Sequence, residues 1–265
     1  MLRLALVAFS LGCLFGDEKP QPRVAPFYSA LSIVNAADNQ SGQLAANTIG
    51  TIYGTNLAYD IAAVSSSDVR NGLLPIVLGD DETQVIIAGN AANLYYVSPG
   101  QINFLVPPNL LALPVSLYVI VDGLIGPLLH LTIGPAAPGL FQLDATNAIA
   151  TLPDGAVLTP SAPAKPGDVV VLWATGLGAT DPQPAYGVLP TASAPLAPGA
   201  GLSILLDGTR VPSAAISYAG IVAGFPGLYQ INFQLPLSTG TNPEIRVQVS
   251  GIMSAPQVHL PVMLN

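Results

Sequence analysis

The chain has 265 residues and a formal charge of −8, from 15 acidic and 7 basic side chains; charged residues make up 8% of it and hydrophobic ones 51%. With two lysines (Lys19 and Lys165) and no basic cluster, the composition argues against nucleic acid as a partner. It also argues against a transmembrane span in the mature chain: with 26 Gly and 26 Pro in the sequence, the apolar runs past the N-terminus break well short of the ~20 residues a spanning helix needs.

In chain order, "MLRLALVAFSLGCLFGDEKPQPRVAP" has one positive residue, Arg3, then an apolar run from Leu4 to Phe15, then charged and Pro-rich sequence. That is the pattern of a secretory signal over residues 1–16, followed by a Pro-rich extension over 17–29. The single cysteine, Cys13, stands in "FSLGC", a distant likeness to a lipoprotein processing site, so a lipid anchor there is a second reading. Either way the rest of the chain carries no disulfide and relies on packing. The expected location is extracellular or at the cell surface.

From residue 30 the sequence reads as short strands and turns, written twice. "TIYGTNLA" (51–58) aligns with "VLWATGLG" (171–178), and "GQINFLVP" (100–107) with "YQINFQLP" (229–236). Asp122-Gly123 aligns with Ser250-Gly251, and "LLHLTI" (128–133) with "QVHLPV" (257–262). The landmarks keep their order, but the offset grows by nine between the first pair and the second (129 against 120), which puts an insertion in the Pro-rich stretch 179–201. The reading is two copies of one domain, 30–134 and 138–265. Within them "IRVQV" (245–249) alternates like a half-buried strand, and Asp207-Gly208 is a two-residue hairpin signal. About seven short strands per copy, separated by turn signals, predict an all-β protein of two tandem immunoglobulin-like sandwiches.

Candidate chemistry is sparse. His130 and His259 fall at equivalent places, each alone in its copy, and read as partly exposed strand histidines. The serine cluster "VSSSD" (64–68) has no base in sequence reach. Asp80, Asp81 and Glu82 offer clustered carboxylates to calcium, but without the alternate spacing of a calcium loop they read as a solvated hairpin tip. "GTNLA" and "ATGLG" lack the lysine and following helix of a phosphate loop and read as turns. Tyr95, Tyr96, Trp173, Tyr218 and Tyr229 fit a sugar-stacking platform or, as the reading preferred here, core and edge packing. No catalytic, cofactor or metal residue is assigned, and the duplicated Gln-Ile-Asn-Phe strand reads as architectural.

The "GTNLA" following an apolar strand, and a later strand ending in Val-Pro, resemble the IPT/TIG class of immunoglobulin-like domains. The set "VNAAD", "YYVSPGQINFLVP", "APGLF", "PAKPGDVVVLWATGLG" and "GLYQINFQLP" resembles more closely a C-terminal domain recurrent in secreted proteins of Solibacter and related acidobacteria. The resemblance spans residue 32 to the end and implies a secreted, tandem immunoglobulin-like protein, with no catalytic residues to carry over. Such domains usually follow a larger region; here the expectation is that the two copies act without one. The functional expectation is a non-catalytic exported protein of adhesion or cell-surface structure, binding itself or other surface proteins. One argument for assembly is "SLYVIV" (116–121), apolar on both strand faces and therefore in want of a cover. The alternative is a carbohydrate- or matrix-binding module.

Overall fold

A computed structural model of the chain describes residues 23–108, 110 and 114–264. The expected signal peptide, Cys13 and residues 17–22 of the extension lie outside the described residues. No helix among those described is long and apolar enough to cross a membrane.

The period-two alternation predicted for the strands is what the chain does. In the first module the longer strands are β1 (Ile33–Asn35), β2 (Ile49–Tyr53), β3 (Gln84–Ile87), β4 (Asn93–Ser98), β5 (Gln101–Leu105), β6 (Pro114–Val121) and β7 (Leu129–Gly134). One sheet runs β1-β2-β5-β4 and ends on the short strand Ala62–Ala63; the other runs from Leu44–Ala45 through β7-β6-β3 to Asn90–Ala91. In the second module they are β8 (Val169–Thr175), β9 (Ser203–Leu206), β10 (Ile216–Val222), β11 (Phe225–Gln234) and β12 (Ile245–Val249). Here Gly139–Leu140 leads into β8-β11-β10 and Ala194–Pro195, and the facing sheet is Thr209–Arg210, β9, β12 and Ile252–Met253. Each pair of sheets closes over its own core. One core is centred on Ile52, Leu94, Ile102, Phe104 and Leu117, the other on Leu172, Tyr229, Ile231, Phe233 and Val247, all fully buried. These are two tandem immunoglobulin-like β-sandwiches.

Four hairpins share one device. Ala88-Gly89, Asp122-Gly123, Asp207-Gly208 and Ser250-Gly251 all have positive φ at both residues, the mirror-image turn that matches the twist of the flanking strands. The predicted strand at 257–262 differs from expectation. Val258, Leu260 and Val262 do face the core, but the segment makes only isolated bridges, from His259 to Asn147 and Glu244 and from Val262 to Ala164. Pro256 and Pro261 remove the N–H groups a continuous ladder needs.

The extra length of the second copy does not lie in 179–201 as expected: the stretch 176–202 between β8 and β9 is no longer than 54–83 between β2 and β3, and the surplus falls in 207–229, ahead of and within the β10–β11 hairpin. The Pro-rich loop 179–201 nevertheless does more than connect strands. Its segment 185–189 reaches the first module, where Leu74 N–H donates to Gly187 O at 2.9 Å and Leu189 N–H to Gly72 O at 2.7 Å. The Tyr186 hydroxyl enters the end of the β4–β5 ladder, donating to Leu105 O (2.8 Å) and accepting from Asn93 N–H (3.1 Å). Burial pushes this phenol up to about 12, the Asn93 N–H opposing part of the rise. Gly187 has φ +70, and a Cβ there would stand 2.1 Å from Asn93 Oδ1, so only glycine fits. Beside this clasp, Ile49 N–H donates to Thr175 Oγ1, which donates in turn to Gly227 O, and the Tyr95 hydroxyl donates to Pro226 O. The two sandwiches are therefore joined by a set of buried polar contacts as well as by the covalent link.

Candidate functional site

The duplicated Gln-Ile-Asn-Phe strand shows its meaning in section. Ile102 and Phe104 in β5, and Ile231 and Phe233 in β11, point into the two cores with no exposed surface. Alternation then sends Gln101, Asn103, Gln230 and Asn232 to the outer faces. In each module the glutamine folds along its strand onto the asparagine: Gln101 Nε2 donates to Asn103 Oδ1 at 2.8 Å, and Gln230 Nε2 to Asn232 Oδ1 at 2.7 Å. Thr51 Oγ1 adds a second donor to Asn103 Oδ1 at 3.0 Å.

What flanks these amides is also duplicated. Residues directly opposite in an antiparallel pair share a face. Gln101 is opposite Tyr53 and Gln230 is opposite Trp173; Asn103 is opposite Tyr96 and Asn232 is opposite Tyr218. The same irregularity precedes both tyrosines, at Leu94/Tyr96 and at Ile216/Tyr218, and it re-aims each one outwards. Each module therefore presents an amide pair flanked by two aromatic residues, Tyr53–Gln101–Asn103–Tyr96 and Trp173–Gln230–Asn232–Tyr218. Tyr53 is 40% exposed and the other seven are half-buried.

The ring tips are tied down. The Tyr53 hydroxyl donates to Asn39 Oδ1 at 3.0 Å. The Tyr218 hydroxyl lies against Ile221 O (2.9 Å) and Ala194 O (3.2 Å), and a Cβ at Gly220 would stand 2.6 Å from it, so the side chain crosses the sheet over that glycine. Desolvation raises the Tyr218 phenol above its ordinary value. Trp173 Nε1 is buried without a hydrogen-bond partner. The outer-face positions of the central strands, Thr51, Tyr53, Tyr96, Ser98, Gln101 and Asn103 in one module and Val171, Trp173, Tyr218, Gly220, Gln230 and Asn232 in the other, include no acid, lysine, arginine or histidine.

The residues singled out in the sequence fall as follows. Asp80, Asp81 and Glu82 sit at the tip of a hairpin closed by the Leu78–Thr83 bridge, and only part of that tip is solvated. Asp80 and Glu82 are exposed, but Asp81 turns inwards, accepting from Tyr59 N–H at 2.5 Å and Thr83 Oγ1 at 3.2 Å, so its carboxylate pins the chain at 59 and 83. No group of three metal-ligating side chains occurs among the described residues. Ser65 of "VSSSD" caps its own turn through Asp68, and that hydroxyl, with the Ser65 N–H, holds the Asp68 carboxyl below its ordinary value. His130 is exposed opposite Ser116, while His259 Nδ1 donates to Asn242 O at 3.0 Å. The reading of these aromatics as core and edge packing holds in the core for Tyr229, which is fully buried, with its hydroxyl donating to Gly178 O. Tyr96, Trp173 and Tyr218 lie outside the cores, half-buried on the outer faces where the bulge and the strand register turn them. Tyr95 is the bulged residue itself and belongs to the module junction. Sequence reading missed both the clasp and the aromatic quartets; the second was open to detection, since the aligned motifs superpose Tyr53 on Trp173 and Gln101 on Gln230.

No protein-family model matches the chain, and no curated protein is similar to it in sequence. Among solved structures, the fold is similar to the surface glycan-binding protein PbSGBP-B from Prevotella bryantii, with 13% identity over 88% of this chain and 42% of that one and a TM-score of 0.26. It is similar too to SGBP-B of the Bacteroides ovatus mixed-linkage glucan utilization locus, determined with a mixed-linkage heptasaccharide, with 10% identity over 93% and 48% and a TM-score of 0.36. The tandem Ig repeats of Dlar give 10% identity over 91% and 96% and a TM-score of 0.22. The chain spans less than half the length of the two glycan-binding proteins.

Proposed function

We propose that this is an exported, non-catalytic protein of the cell surface or extracellular space, acting in adhesion or surface structure by contacts with itself or other surface proteins. Its working parts in this reading are the modules 30–134 and 138–265, of the IPT/TIG-like type found in secreted acidobacterial proteins. The observation that carries the reading is the outer face of β6. Val115, Leu117, Val119 and Val121 fill the core, yet Tyr118 and Ile120 on the reverse side are also large and half-exposed. Buried Ile86 lies opposite Tyr118, and Ile125, 63% exposed, lies opposite Ile120 at the rim. An apolar stripe of this kind on a sheet otherwise built for solvent marks a contact surface. The absence of catalysis is supported by how the reactive side chains are spent: Ser65 on Asp68, Asp81 on Tyr59 and Thr83, His259 on Asn242. The test is the mass in solution of residues 17–265, by light scattering across a concentration series. Growth into larger species that Ile120→Ser suppresses is the expected result; a monomer at every concentration overturns self-association.

A further inference from the structure

We propose that the two amide–aromatic quartets are binding sites for neutral polysaccharide, one on each sandwich. This goes beyond the contact function above and uses a different surface, the outer faces of β2-β5-β4 and β8-β11-β10.

Three observations carry it. The first is duplication beyond what the fold requires. Packing explains the Ile and Phe of the repeated motif, because they fill the cores. It does not require an aromatic residue opposite the glutamine and a tyrosine opposite the asparagine on the solvent side of both modules, delivered each time by the same bulge. The second is preorganisation. Each glutamine is fixed by its bond to the asparagine, which leaves the glutamine carbonyl and the asparagine N–H groups directed to the outer face. The hydroxyls of Tyr53 and Tyr218 are already bonded to the protein, so these residues offer their ring faces. A sugar presents the complementary pair of features, hydroxyls for the amides and an apolar C–H face for the rings. The third is charge. In a protein of net charge −8, the quartets and their neighbours on the central strands carry none, which selects an uncharged ligand.

Strand geometry sets the length of ligand engaged. The two aromatic positions of a quartet are separated by two strand spacings and two residues along the strand, about 12 Å. A short oligosaccharide stretch of an extended chain covers that distance.

Affinity electrophoresis of residues 17–265 in gels containing soluble curdlan, mannan, xyloglucan or amylopectin tests the proposal, with polygalacturonate as the acidic control. The expected result is retardation by at least one neutral polymer and none by polygalacturonate. Trp173→Ala and Tyr53→Ala each weaken that retardation about tenfold, and the double variant abolishes it. Asn103→Ala and Asn232→Ala, which leave the rings in place, weaken it less. Thermal unfolding of every variant confirms that the fold is retained, and Ile120→Ser, which tests the contact function, leaves retardation unchanged. No retardation by any of the four neutral polymers overturns the proposal, and so does retardation that survives the double variant or that polygalacturonate reproduces.

Discussion

The strands β5 and β11 carry the same four residues in the same register, yet they end differently. After Phe104 the first strand runs into the neighbouring module: Leu105 is almost fully buried and its carbonyl accepts from Tyr186. After Phe233 the second runs out to solvent, where exposed Gln234 donates to Gly167 O at 3.0 Å. The shared residues build the two cores and the two outer faces. The asymmetry comes from the Pro-rich loop 179–201, whose segment 185–189 docks on the first module. Duplication supplied two equivalent faces, and one loop turned two beads on a string into a joined pair.

The comparison can be broken at its shared part. Phe104→Ala and Phe233→Ala each empty a fully buried site and cost about 3–5 kcal/mol in denaturant unfolding. If the clasp couples the modules, the unaltered protein and both variants each unfold in one transition. The clasp itself comes next. Gly187→Ala, strained by its positive φ and by the Asn93 side chain, splits thermal unfolding into two transitions. Tyr186→Phe strands a buried N–H and a buried carbonyl and costs roughly 1–3 kcal/mol.

Alkali tests the same junction without mutation. Tyr186 and Tyr28 are each pushed up to about 12 by burial, and burial drives Tyr95 and Tyr229 higher still. The folded values lie above the ~10 of an unfolded chain. The contribution of the neutral phenols is therefore whole below about pH 10 and is lost as the pH rises through about 12. Spectroscopic titration of tyrosine should show the exposed phenols ionising first and the buried ones only with unfolding, and Tyr186→Phe should lower that contribution.

The smallest effect separates the paired histidines. His130→Ala removes an exposed ring and changes stability by less than about 0.5 kcal/mol. His259→Ala removes a hydrogen bond to Asn242 O and costs about 0.5–1.5 kcal/mol by the same unfolding assay.

Much of the fold was legible because it is local. Asp122-Gly123, Asp207-Gly208 and Ser250-Gly251 announce their hairpins, and the alternation in "IRVQV" matches its burial residue by residue. Ala88-Gly89 makes the same turn unannounced, since alanine seldom takes a positive φ. The extra length of the second copy was visible but misplaced, since it lies in 207–229 and not in 179–201. The destination of the Pro-rich loop was not visible: Tyr186 meets Asn93 across 93 residues, and nothing nearby in sequence encodes that partner. Asp81 shows the same limit, an acid within an acidic run whose inward rotation depends on Tyr59 and Thr83. The outer quartets fell between these cases. Their residues were in the aligned motifs, but the bulges that aim Tyr96 and Tyr218 are a property of strand pairing, which no single strand reveals.

The clasp also bears on how such a pair is passed on. A recombination cut in the short link between Gly134 and Gly139 would leave the first sandwich with Asn93, Leu105 and the Tyr95 hydroxyl stripped of their partners, and the second with a Pro-rich arm that has lost its dock. Neither half would be a neutral cassette for shuffling into another gene. A loop of five residues, 185–189, thus makes the doublet the smallest piece that can be moved, copied or fused intact.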